Sequence, residues 1–405
     1  MYLLLGLAVY GFYVQSLGGL SQPYMAREFG LDDTGITFIN GWMSLGAFGT
    51  ALLTRLADRR GRRGILVFCF ALLPVFALAS AVAPGVASFT AVQIGFNALR
   101  GALLAALVVV MTERASDAFR AAGQAWFGLA GAAGGGLALG LAASADHLPG
   151  GWRAFWVVAA LPALAIVPVR RALTETDRFA RAVERGQVAS SRSADLFRGA
   201  WRRRSIGLLA VAALRPIALI AVSTWPFYHM VRTLALPPPV ASLVYLVGGG
   251  IGQIGNPLGA RLANRWGRRP TAALGSALAV ASGVAFYWVP PGKAALAGLI
   301  PLMLVNQGAT AAFSVADRLI GTELFPTALR ATFTGVASLM LAGAAMAASF
   351  GLSLLSARLG GLAPAITWLS LATFVPATVL FLWIVPETRG LTLEQASLEE
   401  EPAAP

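Results

Sequence analysis

Long apolar runs without alternation recur along the chain, separated by short polar stretches rich in arginine. A run of about 20 residues crosses roughly 30 Å of hydrocarbon as a helix. In lipid only helices and closed barrels satisfy the backbone, and unalternating runs exclude a barrel. The pattern predicts an all-α membrane protein with spans at 1–21, 36–55, 64–83, 87–111, 121–143 and 152–170. Six more follow at 204–231, 238–260, 270–289, 294–316, 331–355 and 364–385. The expected organisation is two six-helix bundles, 1–170 and 204–385, joined by a linker at 171–203 and followed by a tail at 386–405.

Composition agrees. The 405 residues are 57% hydrophobic and only 12% charged, against about 25% charged in soluble chains. The net charge of +13 would suit nucleic acid, but its distribution argues otherwise. Of the 31 Lys and Arg, 24 fall in the segments after even-numbered spans, 5 in the odd segments and two inside spans. By the positive-inside bias, both termini and the linker are expected in the cytoplasm, with the chain multi-pass in the inner (plasma) membrane. The first run has no basic stretch before it, so it reads as a membrane helix rather than a cleavable leader. It starts abruptly, which leaves room for a missing short N-terminal tail.

The halves echo each other. Leu56-Ala57-Asp58-Arg59-Arg60-Gly61-Arg62-Arg63 returns 206 residues later as Leu262-Ala263-Asn264-Arg265-Trp266-Gly267-Arg268-Arg269. The pair Glu113 and Arg120 returns as Glu323 and Arg330, and Leu173-Thr174-Glu175-Thr176 as Val385-Pro386-Glu387-Thr388. Such parallel repeats imply a binding site at the midplane between the halves.

These residues resemble the major facilitator superfamily. Arg55 to Arg63 is similar to its signature loop between the second and third helices. The stretches from Glu323 to Ala331 and from Pro386 to Gly390 resemble signatures of its sugar-porter and metabolite–proton symporter branches. Thr54 and Asn264 depart from the loop pattern, which has Gly and Asp there. The resemblance implies alternating access, proton coupling and a latch at the loop. In that latch Asp58 accepts from Arg62 and from a neighbouring helix N-terminus, with Arg59, Gly61 and Arg63 around it. The alternative is that the loop only anchors topology. Glu113–Arg120 and Glu323–Arg330 are expected to pair at the surface.

Arg100 and Arg215 carry the candidate chemistry. An arginine at the bilayer centre costs on the order of 3 kcal/mol and usually faces a cavity. Gln93, Asn97 and Arg100 stand at i, i+4 and i+7, one face of the fourth span. Both arginines are candidates to bind an anion such as a carboxylate; a structural partner such as Asp317 is the alternative. Tyr13, Gln15, Gln253, Asn256, Asn306, Gln307 and Trp225 are further candidate substrate contacts, though a lone polar residue often just bonds the next helix. With no carboxylate in the first span, Glu28, Asp32, Asp33 or His229 would carry a coupling proton, or the anion itself would bring it. Two histidines, the single Cys69 and no paired carboxylates at membrane depth indicate no enzyme, metal site or cofactor. The expected partners are a small molecule, protons and the bilayer, with no nucleic acid and a monomeric state. Two alternatives are an exporter of drugs or other amphipathic molecules, and a non-transporting sensor or scaffold.

Overall fold

The computed structural model describes residues 2–114, 120–175, 196–197, 201–292, 294–325 and 327–390. Twelve helical segments follow the expected order among them. In the first half these are α1 (Tyr2–Glu28), α2 (Asp33–Met43 and Gly46–Arg60), α3 (Arg62–Ala81), α4 (Val86–Arg114), α5 (Arg120–Ala143) and α6 (Arg153–Ala172). The second half has α7 (Trp201–Thr224), which continues through Pro226–Tyr228 and a π turn at His229–Thr233. Then come α8 (Pro238–Gly252 and Gly255–Arg265), α9 (Arg268–Phe286), α10 (Ala295–Glu323), α11 (Thr327–Leu359) and α12 (Leu362–Ile384).

Ten of the twelve are long and apolar enough to cross a membrane. The two that fall short are α8, which breaks at Gln253–Ile254, and α9, which opens on Arg268-Arg269 and carries Thr271, Ser276 and Ser282. Apolar side chains such as Leu52, Leu164, Val379 and Trp383 are exposed on the helices, as lipid contact requires.

Packing divides the chain into two compact units, Met1–Ala189 with Met230–Ser242, and Ser190–His229 with Leu243–Pro405. The end of α7 from Met230 onward therefore groups with the first unit, which sequence could not foresee. Inside the halves the neighbours repeat. In the first, α1 packs on α5, α2 and α3 on α4, and α3 on α6; in the second, α7 packs on α11, α8 and α9 on α10, and α9 on α12.

Close helix approaches repeat as well. A Cβ at Gly46 would lie 2.5 Å from the Ile94 carbonyl oxygen, and one at Gly49 2.6 Å from Ala98 Cβ. At the 206-residue offset, Gly252 presses on Gln307, and Gly255 would place a Cβ 2.0 Å from the Gly308 carbonyl oxygen. Membrane helices gain stability by dispersion contact, and small residues let backbones approach.

Candidate functional site

The repeated loops form two versions of one clamp. In the first half Gly61, with φ of 100°, turns the chain from α2 into α3. This is a left-handed backbone that glycine adopts without penalty. The two α3 amides thereby exposed, Arg62 N and Arg63 N, each donate to one oxygen of Glu175 at 3.1 Å. A carboxylate at a helix N-terminus satisfies orphan donors and meets the positive end of the dipole. Arg63 donates from Nε to the Leu173 carbonyl at 2.6 Å, tying α3 to the end of α6.

The second half builds the same clamp around Gly267, φ 116°. Glu387 accepts from Arg268 N at 2.9 Å and Arg269 N at 3.1 Å, and the Arg269 guanidinium donates to the Leu382 carbonyl. A Cβ at Gly267 would sit 2.3 Å from Glu387 Oε2, so this glycine supplies room as well as conformation. The sequence echo marked Glu175 and Glu387 but assigned them no role; the clue was a Glu just after the last span of each half, in step with each Gly-Arg-Arg.

The clamps differ in their ion pairs. Arg62 meets Asp58 at 3.7 Å, with the Asp58 side chain 69% exposed. Asn264 cannot do this, and Arg268 turns to Glu323 at 3.3 Å, with both partners mostly buried. Thr388 also donates to Glu323. Glu323 takes Arg268 and Thr388 as partners because the turn at Gly267 brings α9 onto the end of α10; its expected pairing with Arg330 lies outside the described residues. The side chains of Glu113, Arg120 and Arg330 lie outside the described residues. Arg59 is exposed.

On α4, the expected polar face spreads over three neighbours. Gln93 donates to Ser80 of α3 at 2.8 Å, Asn97 to the Met43 carbonyl of α2 at 3.1 Å, and Arg100 Nη1 to the Gln15 carbonyl of α1 at 2.9 Å. A central helix touches several others, so residues in one register meet different walls. Gln93 and Asn97 thus have structural partners. Arg100 makes no ion pair among the described residues, and its Nε is buried without a partner.

Arg215 is held differently. Its guanidinium pairs with Asp317 of α10 and lies 4.9 Å from the ring of Phe313 and 5.0 Å from that of Phe381. The structural partner considered for this arginine is the one found.

Most other candidates brace helices. Tyr13 donates to the Phe155 carbonyl at 2.8 Å, and Asn306 to the Ala279 carbonyl at 2.8 Å. Asn256 donates to Gln253 Oε1 at 2.9 Å across the break in α8. Trp225 packs edge to face on Tyr228, and each is 1% exposed. The Gln15 side chain is exposed, and the Gln307 side chain packs on Gly252.

Among the candidate proton carriers, Glu28 is fixed by Trp152 Nε1 at 2.6 Å and Arg153 Nη2 at 2.7 Å. Asp32 caps α2 through Gly35 N at 2.7 Å. His229 is 2% exposed with both ring nitrogens unpartnered.

Twelve helical segments, ten of them long and apolar enough to cross a membrane, with repeated clamped turns, define a polytopic membrane protein. The sequence matches the Major Facilitator Superfamily over residues 3–349, and the chain belongs to that family. No curated protein matches it. Among solved structures it is similar to the xylose transporter XylE from E. coli, at 18% identity over 98% of each chain with TM-score 0.68. It is also similar to the nucleoside transporter NupG, at 14% identity over 95% of this chain and 100% of that one, TM-score 0.77. A bacterial homologue of the human lysosomal transporter Spinster aligns at 14% identity over 95% and 94%, TM-score 0.64.

Proposed function

We propose that the protein moves a small organic anion, such as a carboxylate, across the membrane by alternating access, coupled to protons. The observation that carries this reading is Arg100. It stands inside a spanning helix, is neutralised by no carboxylate among the described residues, and keeps a buried Nε without an acceptor. A cation at that depth costs on the order of 3 kcal/mol, a cost that an arriving carboxylate offsets. The guanidinium fork suits two-point contact with a carboxylate. Similarity to a D-xylose–proton symporter at 19% identity supports proton coupling.

A neutral polar solute is the second reading, favoured by the fold neighbours named for xylose and nucleoside transport. Uptake of radiolabelled carboxylates, pentoses and nucleosides into proteoliposomes separates the two. Arg100→Gln is expected to melt like wild type and lose carboxylate uptake, with Arg100→Lys partly active. Wild-type carboxylate uptake by Arg100→Gln, or pentose uptake alone by the parent, overturns the anion reading.

The same reading has both termini and residues 171–203 in the cytoplasm of a cell with the protein in its inner membrane. It rests on the distribution of 24 against 5 basic residues. A cysteine placed at Ser191 in a Cys69→Ser background should react with an impermeant thiol reagent only after the cells are opened. Labelling of intact cells reverses the topology.

A further inference from the structure

At one end of the second unit, three helices bring cations to a single place. Arg202 and Arg203 are exposed at the start of α7, and Arg269 stands at the start of α9. The Arg203 guanidinium lies 4.6 Å from the ring centre of Trp383, and the Arg269 guanidinium donates to the Leu382 carbonyl. Two arginines from different helices thus meet consecutive residues in the last turn of α12. Gly207 lets α7 press on Ile384, which brings the two helices close enough for this. The nearby carboxylates are already taken. Glu387 accepts from the amides of Arg268, Arg269 and Arg389, and Glu323 from the side chains of Arg268 and Thr388. Arg202, Arg203 and Arg269 make no ion pair among the described residues.

Trp383 is 69% exposed although its ring is large and apolar. It continues an exposed line on α12 through Val375 and Val379, at i, i+4 and i+8 on one face of the helix. On α7 the exposed Ile206 stands four residues from Arg202, on the same face. An apolar strip that ends in a tryptophan and then in arginines has the order of a phospholipid: chains, interface, headgroup. Tryptophan favours that interface, and the planar guanidinium meets a phosphate in two places. We propose that this face binds an anionic phospholipid. Arg202 and Arg203 hold its phosphate beside the Trp383 ring and Arg269, and its acyl chains lie along Ile206, Val379 and Val375. Basic clefts between spanning helices take headgroups of this kind. A second copy of the chain docked here two-fold would instead set these arginines against their own images. Binding does not depend on the cargo; only the naming of the leaflet as cytoplasmic rests on the topology reading above.

The first unit offers no counterpart. Residues 2–5, the first turn of α1, include no basic side chain. Arg170 and Arg171, exposed at the end of α6, have no aromatic ring beneath them among the described residues. Arg63, which corresponds to Arg269, spends Nε and Nη2 on the Leu173 and Arg170 carbonyls. A general attraction of basic residues to anionic lipid would act on both units, whereas a built site acts on one. Arg170 and Arg171 therefore supply the control.

Native mass spectrometry of delipidated protein in detergent, titrated with phosphatidylglycerol or phosphatidylcholine, counts bound lipids directly. Wild type should take up phosphatidylglycerol about tenfold more tightly than phosphatidylcholine, the scale set by two interfacial arginines. Arg202→Gln/Arg203→Gln should lose that preference, and Trp383→Leu, which keeps an apolar contact without the ring, should weaken it. Arg170→Gln/Arg171→Gln should bind as wild type does. All the altered side chains are exposed, so the variants should melt like wild type in detergent alone, which checks their folding. Phosphatidylglycerol should also raise the wild-type Tm, whereas inorganic phosphate or glycerol phosphate at the same concentration should not. Equal binding of the two lipids by wild type overturns the proposal. So does full preference in Arg202→Gln/Arg203→Gln or in Trp383→Leu, or an equal loss in Arg170→Gln/Arg171→Gln. A matching rise in Tm with inorganic phosphate overturns it too, by assigning the arginines to a free anion.

Discussion

The two halves repeat one design in their loops and depart from it inside the membrane. Both turn through a positive-φ glycine, Gly61 or Gly267, and both cap the next helix with a carboxylate, Glu175 or Glu387. Both press a glycine of the second helix onto the fourth. The membrane cations do not repeat. Arg100 is on the fourth helix of its half and makes no ion pair among the described residues; Arg215 is on the first helix of its half and is matched by Asp317 and two rings. Turn geometry must be kept for any bundle of this kind to close, so it survives duplication. Charge in lipid is costly wherever it lies, so nothing in closing the bundle calls for its repetition.

The largest expected effect comes from unmatching the matched cation. Asp317→Ala should destabilise the protein by about 3 kcal/mol, since it leaves the buried Arg215 guanidinium without the carboxylate that pairs with it. Arg215→Gln/Asp317→Asn should recover most of that, and Arg100→Gln should cost far less. Denaturation of the purified variants followed by intrinsic tryptophan fluorescence provides the comparison. Equal losses for Asp317→Ala and Arg100→Gln would mean that the two cations are held alike.

Next in size is the helix contact. Gly255→Ala sets a methyl against the Gly308 backbone, which cannot yield, whereas Gly49→Ala meets the Ala98 side chain. Overpacking of this sort costs about 1–3 kcal/mol, and the melting temperature should fall further for Gly255→Ala. The reverse order would place the tighter joint in the first half.

The caps come third. Glu175→Gln and Glu387→Gln should each cost about 1 kcal/mol, the scale of a lost helix cap. Glu387 should cost more, because it also receives Arg389 N at 2.9 Å and stands beside the Arg268–Glu323–Thr388 cluster. Hydrogen exchange at the first turns of α3 and α9 would show which helix frays.

The smallest effect on stability belongs to the exposed pair. Asp58→Asn removes an ion pair worth under about 1 kcal/mol, yet transport should fall more than Asn264→Asp changes it, since only the first loop has this carboxylate. If both variants transport like wild type, the Asp58 loop serves topology alone.

Much of the fold was legible because its causes are local or periodic. Spans follow from run length, and the glycine turns from the two Gly-Arg-Arg sites. The 206-residue echo foretells repeated turns, and the same offset relates the close approaches of Gly46 and Gly49 to α4 to those of Gly252 and Gly255 to α10. The candidate site was less legible. The seven-residue spacing pointed from Glu323 to Arg330 and gave no sign of Arg268, which the turn at Gly267 brings to Glu323 from 55 residues away. Gln93, Asn97 and Arg100 share a register yet bond to α3, α2 and α1.

The sequence by itself determined that this chain is a twelve-helix membrane protein made of two related halves. Hydrophobic length and internal repetition are properties of the chain alone, needing no knowledge of what packs where. Only the tertiary structure decided which polar groups are spent on the fold: Tyr13 and Asn306 brace neighbouring helices, Glu175 and Glu387 cap them, and Arg215 finds Asp317. A buried donor takes whichever acceptor the packing brings within reach, and that acceptor can lie 102 residues away, as Asp317 does from Arg215.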